Sequence, residues 1–148
     1  MSEISQRAQT FVYGQFLLIV LTLIGCGSLP QFNLVGSSVL SLGLLLGAWA
    51  LATNRPDNFN LNPTPRVGGS LCFDGPYRLI LHPMYVALII ALGGIVLMNA
   101  CLVSLIAWGG LIVLLERKAA LEEKLLRERS GDYENHCEKT KRFIPFIY

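Results

Sequence analysis

A chain of 148 residues that is 53% hydrophobic and 15% charged, with a mean hydropathy of +0.51, lies far from the roughly quarter-charged composition of soluble domains. Its net charge of +2 gives no case for nucleic acid, and no basic, aromatic-interleaved patch occurs. The length suits one domain spanning 1–148, and the stretch from Val86 to Leu115 holds no Asp, Glu, Lys or Arg, which points to an all-α polytopic membrane protein.

In chain order, Phe11 to Leu29 is a 19-residue uncharged run, enough to cross a hydrocarbon layer of roughly 30 Å. Its "LIGC" (Leu23 to Cys26) has the look of a lipoprotein cleavage box, but Glu3 offsets Arg7 ahead of it and three more apolar segments follow. A retained first helix is the better reading. Pro30 and Asn33 mark a tight turn. Leu34 to Thr53 is the second span, and Gly36, Ser37, Ser41, Gly43 and Gly47 give it a small-residue face for close helix approach.

A loop of about 30 residues follows (54–83), rich in Asn, Pro and Gly and longer than an idle connection needs. Within it "DGPY" reads as a turn, and Pro83 stands where the first turn of a helix tolerates proline. Met84 to Met98 and Cys101 to Leu115 are 15-residue apolar runs joined through Asn99 and Ala100. At about 22 Å each they make a short hairpin. Gly93 and Gly94 are expected to face Gly109 and Gly110. Leu114, Leu121 and Leu125 extend the fourth helix to about Arg129, with Gly131 as its stop. The tail 116–148 ends in "RFIPFIY", an apolar and aromatic stretch suited to an interface or groove.

The four cysteines (Cys26, Cys72, Cys101, Cys137) have no metal-ligand or redox spacing. No zinc site is expected, and Cys26 and Cys101 read as small hydrophobes in apolar runs. The first and third connections carry no Lys or Arg. The middle loop carries Arg55, Arg66 and Arg78, and eight more follow Leu115. The positive-inside bias therefore puts both termini, the loop and the tail in the cytoplasm.

Loop and tail thus share one membrane face. Taken singly, their polar residues have plain explanations. Tyr77, Tyr85 and Tyr148 suit an interfacial aromatic belt, and His82 suits a helix cap. Glu122, Glu123, Lys124, Arg127 and Glu128 suit a solvated face, with Glu123 paired to Arg127.

"GPYRLILHPMY" (Gly75 to Tyr85) resembles the G-P-Y-R-x-x-R-H-P-M-Y signature of integral membrane methyltransferases, the group that includes isoprenylcysteine carboxyl methyltransferase and bacterial phospholipid N-methyltransferases. "EEKLLRERSGDYENHCEKTKRFIP" resembles their second block, E-E-x-x-L-x-x-x-F-G, then Y-x-x-Y, then R-x-I/L-P. The likeness runs from Arg55 onward, and the first two helices match in hydropathy alone. Leu81 stands in place of an Arg, Ser130 in place of an aromatic and His136 in place of the second Tyr, and the Gly131-to-Tyr133 spacing is one residue short. His82, Pro83, Tyr85, Glu122, Glu123, Arg142 and Pro145 keep the pattern.

The resemblance implies S-adenosylmethionine as methyl donor, and a hydrophobic or lipid-borne acceptor. His82, Glu123 and Arg142 are the expected catalytic residues. Gly75, Tyr77, His82, Pro83, Tyr85, Glu122, Glu123, Tyr133 and Arg142 are the expected cofactor-binding set. The chemistry is consistent: Arg142 suits the donor carboxylate, Glu122 or Glu123 its diol or amino group, and a tyrosine face its sulfonium. An amine acceptor would need a base, His82 or a Glu. Two further readings stand beside this one. One is an NADPH-dependent reductase like the steroid 5α-reductases, with Arg78, Lys139, Lys141 and Arg142 for the phosphates. The other is a non-catalytic membrane scaffold. The small size suits a bacterial inner membrane.

Overall fold

The computed structural model describes residues 2–25, 27, 31–54, 72–99, 101–128, 133, 136–137 and 140–144, with backbone alone for 2–5. Four α-helices account for most of them: α1 (Ser2–Ile24), α2 (Leu34–Thr53), α3 (Pro83–Asn99) and α4 (Leu102–Arg127). A short 3-10 helix (Gly75–Arg78) precedes α3, and among the described residues there are no strands beyond one isolated bridge. Loop residues 55–71, with "RVGG", and the terminal 145–148 lie outside the described residues.

Two helices are long and apolar enough to cross a membrane, Gln6–Ile24 and Leu34–Thr53. α1 differs from its expected bounds. The polar stretch before Phe11 is already helical, because hydropathy marks a span and not the helix containing it. It ends before Pro30 because Gly27 adopts a left-handed φ of 64°, open to glycine at little cost, and its N–H closes on the Ile24 carbonyl at 2.9 Å. Asn33 caps α2, its side chain accepting from the N–H groups of Val35 and Gly36.

The helices pair as α2 on α3 and α1 on α4, with a smaller α3–α4 seam. The small-residue face of α2 meets α3: a Cβ on Gly43 would fall 2.4 Å from the Ala91 nitrogen, and one on Gly94 would fall 2.5 Å from the Leu40 nitrogen. The expected Gly93–Gly94 to Gly109–Gly110 contact is absent. Gly94 faces α2, Gly93 faces the Trp108 ring, Gly110 faces Leu18 of α1, and nothing approaches Gly109. Trp108 fills the α3–α4 seam instead, donating from Nε1 to the Ile89 carbonyl at 2.9 Å.

Leu92, Leu111 and Leu115 form the buried core between these pairs. Tyr13, Leu17, Ile24, Leu44 and Leu45 project outward, as lipid-facing side chains would. α4 is a single 26-residue helix, about 39 Å long, so its hairpin with α3 is unequal. Cys101 is not a free apolar thiol: it is disulfide-bonded, and its partner lies outside the described residues. Spacing in sequence carries no information on such long-range pairing.

Candidate functional site

The approach to α3 is built from local constraints. Gly75 takes a φ of 55°, and a Cβ there would sit 2.6 Å from Thr53 Oγ1, so only glycine lets this turn lie against the end of α2. Pro76 is buried in the 3-10 turn, and its carbonyl accepts from Leu79 and Ile80. The chain then extends beside the tail. Ile80 and Lys141 form a parallel bridge, Leu81 N–H donates to the Lys141 carbonyl at 2.8 Å, and His82 N–H donates to the Arg142 carbonyl at 3.3 Å. Pro83 opens α3 where its missing N–H costs nothing, and the His82 carbonyl accepts from Tyr85 and Val86.

This pairing brings His82, in the 75–83 approach to α3 (the doorway), to Glu123, on α4, both more than nine-tenths buried. His82 Nε2 lies 3.1 Å from Glu123 Oε1. Arg142 closes a fork on the same carboxylate, Nε to Oε1 at 2.7 Å and Nη2 to Oε2 at 3.0 Å. A carboxylate only accepts, so Nε2 of His82 carries the hydrogen, which leaves Nδ1 as the acceptor of the neutral ring. Nδ1 sits 3.8 Å from Glu122 Oε2, too far for a hydrogen bond. Tyr85 stacks on His82 with ring centroids 5.1 Å apart and donates from its hydroxyl to Glu122 Oε2 at 2.8 Å. Burial pushes the Glu123 carboxyl up, but the hydrogen bonds from His82 and Arg142, with the Arg142 charge, outweigh it and bring the pKa down to about 2.

A second group of contacts secures the tail. His136 Nε2 donates to the Tyr77 carbonyl at 3.0 Å, and its ring packs on Phe73 at 4.5 Å. Tyr133 is buried, and burial raises its hydroxyl pKa. Burial, with the neighbouring Cys72 second, pushes Tyr77 up to about 12. Phe143 stands edge-on to His82 at 6.2 Å.

His82, Tyr85, Glu122, Glu123 and Arg142 therefore share one cluster. Gly75 and Pro83 shape its walls, and Tyr77 and Tyr133 lie along the tail's docking path. The surface pairing expected between Glu123 and Arg127 does not form: Glu123 points inward, while Arg127 reaches the Cys137 thiol. Lys124 and Glu128 keep the solvated face.

Two participants escaped the sequence. Lys118 is 1% exposed and donates to Gln15 Oε1 of α1 at 2.7 Å, with its Nζ 5.3 Å from the Tyr85 ring centroid. Burial lowers its pKa and the charge of Glu122 opposes that. Its signal was its position, since Leu111, Leu115, Lys118 and Glu122 follow one helical face. Among the described residues no group of His, Cys, Asp and Glu is arranged to hold a metal. No family model matches the chain, and no curated protein matches it.

Proposed function

We propose that the chain is an integral membrane methyltransferase that uses S-adenosylmethionine to methylate a hydrophobic or lipid-borne acceptor at the cytoplasmic face. The observation that carries this reading is the meeting of His82, Glu123 and Arg142 from the doorway, α4 and the tail at one end of an apolar bundle. In this reading all four helices cross the bilayer, α3 with 17 residues at a slightly thinned edge and α4 with its polar third emerging into the cytoplasm.

The side chains suit such a donor. When bound, S-adenosylmethionine supplies an electrophilic methyl group on a sulfonium. Of the site's two carboxylates Glu123 is already bonded by His82 and Arg142, which leaves Glu122 to accept from a hydroxyl or amino group. Among the described residues Glu122 Oε1 holds no hydrogen bond, so it is the acceptor ready for a ligand. The Tyr77 and Tyr133 rings are the faces left for positive charge, since His82 and Lys118 already cover Tyr85. Arg142 holds Glu123 in place, Glu123 fixes the His82 tautomer, and Nδ1 of His82 takes the proton if the acceptor is an amine. The enclosed position of His82 and Glu123 excludes water from the transfer.

Phosphate-bearing NADPH suits the site less well. The Arg142 fork is closed on Glu123 and the Lys118 ammonium is held by Gln15, so two of the cations nearest the cluster are already committed. The same closed fork also favours a second reading, in which the network is only a latch that docks the tail on a non-catalytic scaffold. Isothermal titration of the full chain in nanodiscs with S-adenosylhomocysteine tests the proposal: saturable binding supports it, and absence of binding by folded protein ends it. Thermal shifts with NADPH address the reductase. Unchanged binding in E123Q and R142A would favour the scaffold.

A further inference from the structure

We propose that Lys118, anchored by Gln15, is a positioning residue that fixes Tyr85 and, through the Tyr85 hydroxyl, the Glu122 carboxylate. What it positions rests on the methyl-transfer reading above, whereas the positioning itself does not.

Lys118 lies on the buried face of α4, one turn before Glu122, and is the largest fully enclosed side chain of the described residues. A lysine can usually snorkel its ammonium to water from such a depth. This one turns inward to Gln15 Oε1 at 2.7 Å and lies over the Tyr85 ring. An ionisable group enclosed at 1% exposure is costly to desolvate, so its partners are the place to look for a role. Its partners give the role. The cluster contains two carboxylates, Glu122 and Glu123, and Arg142 closes its fork on the second. Lys118 is the cation on the Glu122 side. It reaches that carboxylate through Tyr85, whose ring it faces and whose hydroxyl donates to Oε2 at 2.8 Å. Gln15 thereby makes α1 part of the site, although α1 carries none of the motif residues.

The test uses the full chain in nanodiscs and two readouts. The tyrosine Fermi doublet in ultraviolet resonance Raman, taken as a difference against Y85F, reports donation from the Tyr85 hydroxyl without reference to any cofactor. Calorimetry with S-adenosylhomocysteine reports the site. K118M should erase the strong-donor signature of Tyr85 and weaken S-adenosylhomocysteine binding about tenfold, the scale of one hydrogen bond to a charged group. The pair Q15L/K118M removes both partners, so no polar group is orphaned and folding is retained. A purely structural lysine predicts that this pair keeps the wild-type signature and affinity; positioning predicts that it loses both. If the wild type binds no S-adenosylhomocysteine, the methyl-transfer reading fails while the Raman readout still decides the role of Lys118. A wild-type Tyr85 signature in a folded Q15L/K118M protein would overturn the proposal.

Discussion

Arg142 and Glu123 stand 19 residues apart in sequence and meet through two parallel hydrogen bonds, 2.7 and 3.0 Å long. α4 ends at Arg127, so this fork, with the backbone pairing of Leu81 and His82 to residues 141–142, brings the tail back onto the bundle. Removing the guanidinium leaves a buried carboxylate with His82 as its remaining partner among the described residues. R142A should therefore destabilise the protein by about 2 kcal/mol and open the tail to protease. E123Q/R142M should cost less than the sum of its single variants, because neither leaves the other's charge stranded. Denaturant unfolding followed by circular dichroism, with timed proteolysis, measures both effects.

The same contact sets a pH dependence. The Glu123 carboxyl has a folded pKa of about 2, below the usual value of 4.5. A depressed carboxyl contributes stability above its unfolded pKa and loses it as pH falls through the folded one. The melting temperature should be level above about pH 5 and decline between about pH 4.5 and 2. E123Q, which cannot ionise, should remove this carboxyl's share of the decline. An equal decline in wild type and E123Q would assign the transition to other groups.

The α2–α3 contact depends on missing side chains. A methyl on Gly43 would meet the Ala91 backbone at 2.4 Å, and one on Gly94 would meet the Leu40 backbone at 2.5 Å. Backbone cannot swing away as a flexible side-chain end can, so G43A and G94A should each cost about 1–3 kcal/mol. G109A meets nothing within 4 Å and should be neutral or slightly stabilising, since alanine is the better helix former. Denaturation in mixed detergent micelles compares the three.

Much of this arrangement was legible in the sequence. The apolar runs placed α2 and α3 almost to the residue, and periodicity carried α4 beyond its run, because one stripe continues through Leu121 and Leu125. Pro83 marked a helix start by its own chemistry, whereas Asn33 read only as part of a turn and its capping of α2 came from the structure. Partner choice was not legible: glycines at Gly93 and Gly94 permit close packing, but tertiary geometry decides which neighbour takes it. By spacing alone Glu123 read as half of a surface pair with Arg127, and it was grouped with His82 and Arg142 only through the resemblance, because i, i+4 spacing is visible in sequence and a contact 41 residues away with His82 is not. Lys118 was masked in the same way by its charged neighbours Glu116 and Arg117.

Cys101 gives a test of orientation independent of charge counting. It opens α4, while Lys118 and Glu123 lie at the other end, about 26 Å farther along by the helical rise to Lys118. Disulfides persist in oxidising compartments, so the proposed topology requires the Cys101 end to face outward and the His82–Glu123 cluster to face the reducing cytoplasm. Cys72 and Cys137 are free thiols flanking that cluster, one before the doorway and one in the tail. In right-side-out vesicles a membrane-impermeant maleimide should leave both unlabelled until the membrane is opened. An impermeant reductant added outside should free Cys101 for labelling. Labelling of Cys72 or Cys137 from outside in sealed vesicles would invert the topology and remove the proposed site from the cytoplasmic face.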